Sequence, residues 1–187
     1  FIKELAIEAD SLEGYLFPET YTYTSSSTVR QLLRAMVDQL NRHLSPAMLE
    51  RAEALDLNRH ELLTLASIIQ KEAGNVMEMP LISAVFHNRL KRGIALQADP
   101  TVIYGIADFD GNLTRKHLAT PTPYNTYRKR GLPPGPIASP GLFALRAAAN
   151  PADTKDLYFV ARGDGTHEFN KTLKDHNRAV RRYQLRR

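Results

Sequence analysis

Apolar residues recur at helical spacing through much of the first 90 positions. Residues three and four positions apart predict an amphipathic helix from Val29 to Leu40 and a shorter helix from Pro46 to about Leu55. A third helix is predicted from Arg59 to Ala73, with Asn58 as its N-cap, and a fourth begins at Pro80. The pattern therefore predicts a helical N-terminal half.

Two stretches depart from this helical pattern. Residues 12–23 are rich in aromatic and β-branched side chains and contain Gly14 and Pro18, which predicts extended chain with turns. Ser25–Ser27 follows and offers hydroxyls to cap the first helix. Residues 93–141 are dense in Pro, Gly, Tyr, Thr and Asn, and their aromatic content favours an ordered, functional loop region.

The C-terminal part predicts a hairpin between two helices. A short Ala-rich helix is expected at 142–150 and a buried strand at 157–161. Gly163–Gly165 then turns the chain back into a second strand at 166–169, and a basic helix starts at about Thr172. The sequence thus predicts one α+β domain over 1–187, mostly helical, with a small antiparallel hairpin and a long ordered loop region.

A single carboxylate interrupts the apolar face of the third predicted helix. Glu72 follows Ile69 and Leu65 by three and seven positions, so it extends the face that should be buried. Burial and the nearby negative end of the helix dipole both raise the pKa of such a group, and a carboxylic acid that stays protonated can act as a general acid. The alternative is a structural ion pair, for which Arg89, on the apolar stripe of the fourth helix, is the candidate partner.

Composition narrows the possible chemistry. The chain has 187 residues, 43% of them hydrophobic, which suffices for one substantial core. The absence of cysteine excludes disulfides and thiolate nucleophiles. The chain contains no apolar run of about 18 residues, the length needed to span a bilayer. Its start at Phe1 suggests a piece of a longer protein. Lys and Arg exceed Asp and Glu by 25 to 20, which gives a mild attraction to polyanions.

Recognised cofactor motifs are missing from the chain. It contains no dinucleotide fingerprint, phosphate loop, HExxH or GxSxG, and its histidines do not cluster at metal-ligand spacing. No lysine, such as Lys71, is singled out for a pyridoxal-phosphate link. The sequence therefore predicts neither a metal nor another cofactor. His167 beside the glycine turn stands out, although an ordinary, partly buried strand histidine explains it as well.

The loop region carries polar and aromatic side chains typical of a carbohydrate cleft. The hydroxyls at the edges of a sugar can hydrogen-bond to amides and carboxylates. The weakly apolar faces of the sugar ring can pack on tyrosine rings. The alternative is that Asn, Thr and Asp simply form turns here. The candidates are Gln97, Asp99, Thr101, Tyr104, Tyr124, Asn125, Thr126 and Tyr127.

Five ordered blocks carry a family resemblance. They read LEGYLFPETYTY, ASIIQKEAG, FHNRLKRGIALQADPTVIYG, TPTPYNTYRKRGLPPGPIASPG and YFVARGDGTHEFNKTLKDHN. In this order they resemble the YceG-like (MltG) family of bacterial endolytic murein transglycosylases, from Leu12 to about Asn177. The glutamate that ends the ASIIQKE helix is that family's catalytic position, and here it is Glu72.

The resemblance implies cleavage of the β-1,4 bond between N-acetylmuramic acid and N-acetylglucosamine within glycan strands, leaving a 1,6-anhydro end. Glu72 would protonate the leaving oxygen and then, as a carboxylate, take the proton of the sugar's own C6 hydroxyl as that oxygen attacks C1. The substrate-binding candidates are Asn88, Arg89, Gln97, Asp99, Thr101, Tyr104, Tyr124, Asn125 and Tyr127, with Glu13 and His167.

The resemblance also implies a cellular setting. It places the domain on the periplasmic side of the bacterial inner membrane, held by an N-terminal membrane helix that this chain lacks. A LysM-like subdomain would precede residues 1–11, which would be the connection from it. Peptidoglycan strands are the expected partner and cell-wall synthases a further candidate. Nucleic acid is not expected, because the basic C-terminal helix accompanies no recognised DNA or RNA motif.

Two alternatives stay open at the level of sequence. A muramidase-type hydrolase would use a second carboxylate beside Glu72, for which Glu13, Glu19 and Asp99 are the candidates. A non-catalytic module that binds peptidoglycan as a scaffold would need no acid at all. Product analysis separates the three.

Overall fold

A computed structural model describes residues 1–5 and 9–185 of the chain. Within these residues the chain forms α-helices and one two-stranded antiparallel sheet, which confirms the predicted α+β class. The helices are α1 (Val29–His43), α2 (Pro46–Glu53), α3 (Arg59–Glu72), α4 (Met79–Lys91), α5 (Asp99–Tyr104), α6 (Arg115–Ala119), α7 (Leu142–Ala149) and α8 (Leu173–Tyr183); the strands are β1 (Tyr158–Ala161) and β2 (His167–Asn170); short 3-10 turns lie at Lys3–Leu5 and Val76–Glu78.

Parts of two sequence predictions lie outside the described residues. The connection proposed for residues 1–11 includes residues 6–8, and the basic segment predicted from about Thr172 onward includes residues 186 and 187. None of the helices among the described residues is both long enough and apolar enough to cross a membrane.

Helix α3 lies at the centre of the core. Its start is fixed by a capping box in which the Asn58 side chain accepts a hydrogen bond from the Glu61 N–H at 3.0 Å and the Glu61 carboxylate accepts one from the Asn58 N–H at 2.9 Å. Every residue from Leu62 to Ile69 is buried. A helix buried all round must have partners on every side, and α2, α4, α5 and α7 surround it. Each of its fully buried Leu and Ile side chains contributes roughly 1.5–3 kcal/mol.

Helix α7 packs closely against α3 because its buried face is made largely of alanine. Ala144, Ala147 and Ala148 are buried together with Leu145, and the same helix also contacts α2 and α4. Small side chains leave little between the two helix backbones, so α7 can approach α3 closely. The last residue of α3, Glu72, is thereby placed at the edge of a rigid core.

The predicted hairpin is present, and residues of both its strands line the cleft described below. Tyr158 pairs with Asn170 and Ala161 with His167, and the Asp164 carboxylate accepts hydrogen bonds from the backbone N–H and the hydroxyl of Thr166 in the turn. Helix α8 packs on both strands, and β1 contacts α4.

The structure corrects three local predictions. Thr28, not Ser25–Ser27, caps α1, because its side chain forms a capping box with Gln31. The loop region contains α5 and α6, which the sequence pattern missed because helices of five or six residues are too short to show a periodicity. Asp99, expected in a loop, is the first residue of α5.

Candidate active site

A cleft of about 360 Å³ opens where the C-terminal end of α3 meets the loop region, the hairpin and α8. Six of the predicted site residues line it, and they come from five separate segments of the chain. The lining residues are Glu72, Arg89, Leu96, Gln97, Asp99, Tyr127, Phe159, Val160, Ala161, His167, His176, Val180 and Gln184. A groove of about 810 Å³ on the outer face of α8 is larger, but its lining of Leu173, Lys174, Asn177, Arg178, Arg181 and Arg182 contains no acid.

Glu72 has the properties that a general acid requires. Its pKa is raised to about 8, mainly by burial and further by the negative charge of Asp99, while the cation of Arg89 acts in the opposite direction. Among the described residues no group forms a hydrogen bond or an ion pair with its carboxyl group. The side chain is therefore protonated at neutral pH, next to an open cavity.

Arg89 does not form the direct ion pair with Glu72 that the alternative explanation required. Its Nε donates to the carbonyl of Leu157 at 2.7 Å, and its Nη1 donates to the carbonyl of Leu96 at 2.8 Å and of Ala95 at 3.1 Å. The guanidinium also lies 5.1 Å from the centre of the Tyr158 ring. Its main role is to join α4 to the loop region and to β1, and it influences Glu72 only through its charge.

A second carboxylate faces the same cleft. Asp99 accepts a hydrogen bond from the Tyr127 hydroxyl at 2.6 Å. Burial raises the pKa of Tyr127, and the bond to Asp99 raises it further, so this hydroxyl keeps its proton. The pair places a fixed negative charge near Glu72, which is one reason why Glu72 holds its own proton.

Gln97 enters the cleft through an unusual backbone conformation. Its φ of +53° lies in the left-handed region, which costs a residue other than glycine on the order of 1 kcal/mol. The conformation is held by a hydrogen bond from its N–H to the Thr126 carbonyl at 3.2 Å, and Arg89 donates to its Oε1 at 3.3 Å. In this strained conformation Gln97 lines the cavity.

Thr101 and Asn125 support the cleft from behind. Thr101 is fully buried, and its hydroxyl bonds to the Ala98 carbonyl at 2.7 Å and to the Thr126 hydroxyl at 2.8 Å. The buried Asn125 amide donates to three loop carbonyls, those of His117, Leu118 and Thr120. Both side chains are fully engaged in holding the loop region.

Besides Thr101 and Asn125, four predicted residues lie outside the lining of the cleft, namely Asn88, Tyr104, Tyr124 and Glu13. Asn88 donates to the carbonyls of Thr154 and Asp156 and so joins α4 to the segment before β1. Tyr104 and Tyr124 form a ring pair with centroids 4.7 Å apart, and burial raises the pKa of Tyr104 with a contribution from the charge of Glu13. Contact of these residues with a sugar stays a prediction.

His167 lines the cleft and is held by a residue that sequence reasoning missed. The Glu78 carboxylate accepts from the His167 backbone N–H at 3.1 Å and pairs with its Nδ1 at 2.8 Å. The Phe159 ring meets the imidazole edge-on at 5.4 Å. Nothing in the local pattern marks Glu78, because its partner is 89 positions away in the chain.

The inner face of α8 is the other part of the site that the sequence prediction did not include. His176, Val180 and Gln184 line the cleft, and His176 stacks on Tyr158 at 5.2 Å. Burial lowers the pKa of His176, so its imidazole favours the neutral form. His176, Val180 and Gln184 are spaced four residues apart, which places them on one face of a helix. This spacing was the available signal in the sequence, but the basic residues between them obscured it.

The described residues offer no group of three or more His, Asp or Glu side chains that could hold a metal ion. Fold and site together define an α+β protein with a loop-built cleft that presents one protonated glutamic acid beside a second, ionisable carboxyl group. Comparison with known proteins identifies the family. The YceG-like family model matches residues 2–182, so the chain belongs to the YceG-like family.

Two named relatives share this region. The chain is 41% identical over 173 residues to a Bacillus subtilis protein named endolytic murein transglycosylase, covering 92% of this chain and 48% of the relative. It is 36% identical over 175 residues to the protein of the same name from Streptococcus pneumoniae serotype 2 strain D39, covering 90% and 32%. The chain thus spans about half the length of the first relative and about a third of the second.

A solved structure shows the same fold. The 2.6 Å crystal structure of a yceG-like protein from Listeria monocytogenes superposes with a TM-score of 0.83 at 35% sequence identity. The match covers 95% of this chain and 59% of that chain. The arrangement of helices, loop region and hairpin is therefore shared by both proteins.

Proposed function

We propose that the protein is an endolytic peptidoglycan lytic transglycosylase that cleaves the β-1,4 bond between N-acetylmuramic acid and N-acetylglucosamine. The observation that carries this proposal is Glu72, a glutamic acid with a pKa of about 8 and no partner among the described residues, facing a cleft. Membership of the YceG-like family and the names of the relatives support the same reaction class.

The chemistry needs one proton donor and one internal nucleophile. Glu72 donates its proton to the O4 oxygen of the leaving N-acetylglucosamine as the C1–O4 bond breaks. The C6 hydroxyl oxygen of the muramic acid residue then bonds to C1 and closes a 1,6-anhydro ring, so no water enters the product. The proton of that hydroxyl must pass to a base, either Glu72 after it has given up its own proton or another group in the cleft.

The remaining lining supports binding of a polar polymer. Gln97 and Asp99 bring hydrogen-bonding groups for sugar hydroxyls to the lining of the cleft, and Tyr127 and Phe159 add aromatic surface against which a sugar can pack. The negative charge of Asp99 also favours the positive charge that develops at C1 in the transition state. These roles, together with those of Arg89 and His167, form the proposed substrate site.

The proposal extends to the surroundings of the domain. Residues 1–187 form the catalytic unit, residues 1–11 connect it to an upstream LysM-like subdomain, and the whole protein acts on the periplasmic side of the bacterial inner membrane through an N-terminal anchor. Peptidoglycan strands are its substrate, and cell-wall synthases are proposed partners. Extracytoplasmic action on murein agrees with the names of the relatives.

The direct test treats purified glycan strands with the wild type and with Glu72→Gln, and mass spectrometry reads the new ends. We expect anhydro-ended fragments from the wild type and a rate lower by roughly 10²–10⁴-fold from the variant, since glutamine keeps the shape but has no proton to donate. Glu50→Gln, an exposed position on α2, is the matched control and should retain full activity.

Three other results would contradict the proposal. Equal release by the wild type and Glu72→Gln would remove Glu72 from the chemistry. Reducing ends in place of anhydro ends would indicate a hydrolase, with Asp99 as its second carboxylate. Binding of strands without cleavage by either protein would indicate a scaffold module.

A further inference from the structure

The pair formed by His167 and Glu78 has the arrangement of a catalytic base with its orienting carboxylate. Both oxygens of Glu78 accept from His167, one from the backbone N–H at 3.1 Å and one from Nδ1 at 2.8 Å. A carboxylate that receives two N–H groups holds the imidazole proton on Nδ1 and leaves Nε2 with a free electron pair. The Phe159 ring, edge-on at 5.4 Å, fixes the plane of the imidazole.

The other ring nitrogen of His167, Nε2, is accessible, and His167 lines the cleft. Among the described residues no group hydrogen-bonds Nε2, and this atom is not one of the buried polar atoms left without a partner. The side chain is only 10% exposed, so what remains accessible is the part that lines the cavity. A hydrogen-bonding atom with nothing opposite it but the cleft is placed to meet a ligand.

The backbone holds His167 and Glu72 at fixed positions on two walls of this cleft. Gly74, two residues after Glu72, lies so close to the hairpin turn that a Cβ there would be 3.0 Å from the carbonyl oxygen of Gly165. Gly165 in turn lies two residues before His167. Glu78 adds a second attachment between the segment after α3 and the start of β2.

We propose that His167 is the base of the reaction and that Glu78 is its positioning residue; this inference rests on the proposed transglycosylase function and deepens it. The C1–O4 bond breaks, its electron pair goes to O4, and O4 takes the proton of Glu72. The C6 hydroxyl oxygen then bonds to the cationic C1 on the face that O4 has left, while its proton passes to Nε2 of His167. The imidazolium is stabilised by the Glu78 carboxylate, and its proton returns to Glu72 after the products leave, so the net change is one proton moved from O6 to O4.

Two groups can divide the two proton transfers of this reaction between them. The attacking O6 and the leaving O4 both lie on the β face of C1, so a single carboxyl group would have to give up one proton before it could accept the other. Glu72 comes from the end of α3 and His167 from β2, so the cleft offers a separate acid and base. A carboxylate, an imidazole and a hydroxyl in series form the arrangement that activates serine in hydrolases, with a hydroxyl of the substrate here in place of the serine.

The test measures release of anhydro ends by the wild type and by His167→Gln, His167→Ala and Glu78→Gln. Glutamine at 167 can still donate to Glu78 but has no basic electron pair, so we expect kcat to fall by roughly 10²-fold or more with KM little changed. Added imidazole should restore part of the rate of His167→Ala and none of the rate of Glu72→Gln. Glu78→Gln should lose about tenfold or more, because the imidazole is no longer held in the right tautomer.

Thermal unfolding of each variant, with Glu50→Gln as the exposed control, shows whether a lost rate reflects lost structure. A rate for His167→Gln within about twofold of the wild type would overturn the base assignment. An inactive but folded His167→Ala that imidazole does not restore would overturn it too, in favour of a purely structural role. If the wild type releases no anhydro ends, both this inference and the proposed function fail, whereas anhydro ends with an unaffected His167→Gln refute this inference alone.

Discussion

At the scale of single residues, the protonation state of Glu72 determines the pH range in which the site can work. An acid must carry its proton to donate it, so activity should fall as pH rises through about 8, the pKa of Glu72. The negative charge of Asp99 contributes to this high pKa. We therefore expect Asp99→Asn to lower the pKa of Glu72 and to move the falling limb of the rate profile to lower pH.

Initial rates of anhydro-end release between pH 5 and pH 10 measure this shift. Asp108→Asn, an exposed aspartate outside the cleft, is the matched control and should leave the profile in place. An alkaline limb in Asp99→Asn at the same pH as in the wild type would show that the charge of Asp99 does not set the proton affinity of Glu72.

The same group makes the folded protein less stable at neutral pH. The folded-state pKa of about 8 lies above the ordinary value of 4.5, so the folded protein holds a proton that the unfolded chain loses, and the stability contributed by this proton decreases from pH 4.5 to pH 8. Glu72→Gln removes this titration. We expect the variant to be more stable than the wild type by on the order of 1–3 kcal/mol at pH 8 and equally stable near pH 4.

Urea unfolding at pH 4, 6 and 8 would show this growing difference. Glu53→Gln, an exposed position on α2, should give no such trend. A constant difference between the wild type and Glu72→Gln at all three values would mean that burial does not penalise the charged form of Glu72.

The sequence pattern indicates where Glu72 lies but not which groups bind Arg89, for a physical reason. The apolar neighbours of Glu72 lie on its own helix, so its burial is visible in the local pattern. Arg89 is satisfied by carbonyls, among them that of Leu157, 68 positions away. Any backbone carbonyl can accept from a guanidinium, so no pattern of side chains indicates which one does.

At the scale of elements, the contact between the end of α3 and the hairpin turn sets the width of the cleft. A Cβ on Gly74 would be 3.0 Å from the Gly165 oxygen, so Gly74→Ala should push the hairpin away by a few tenths of an ångström. The displacement moves His167 relative to Glu72. We expect a loss of activity of about tenfold or less, with a stability change below about 1 kcal/mol.

Activity and thermal unfolding measured on the same preparation separate these two effects. Gly93→Ala is a suitable control, because no atom lies within 4 Å of its Cβ position; its φ of +61° costs stability, but it does not touch the hairpin. Full activity in Gly74→Ala would show that the spacing between α3 and the hairpin is not critical.

The elements themselves were predictable wherever a helix was long and capped. The predicted third helix, 59–73, and the observed α3, Arg59–Glu72, differ by one residue, because Asn58 and Glu61 mark its start. The predicted basic helix α8 was also found, but its cleft-facing side was not recognised. Its exposed arginines dominate the pattern, while His176 reaches the site only through the tertiary packing of α8 on β1.

At the scale of the whole molecule, the cleft is made of residues from widely separated positions in the chain. Residues such as Glu72, Tyr127 and His176 meet only because α3, the loop region and α8 pack together. The α+β class follows from local patterns, whereas the composition of the cleft depends on long-range contacts. Family blocks in the sequence supplied candidates for six lining residues, and the structure alone separates these from supporting residues such as Asn125.

One long-range contact holds the N-terminal segment to the loop region. Gly14 has a φ of +81°, and a Cβ there would be 2.3 Å from the Cβ of Pro136. Gly14→Ala combines a strained backbone, which costs about 1–2 kcal/mol, with a steric overlap that costs about 1–3 kcal/mol more. Gly131→Ala is the matched control, since it has a similar φ of +84° but open space around its Cβ position, and it should lose only the first of these amounts. Urea unfolding compares the two directly, and equal losses would show that the N-terminal segment is not fixed against Pro136.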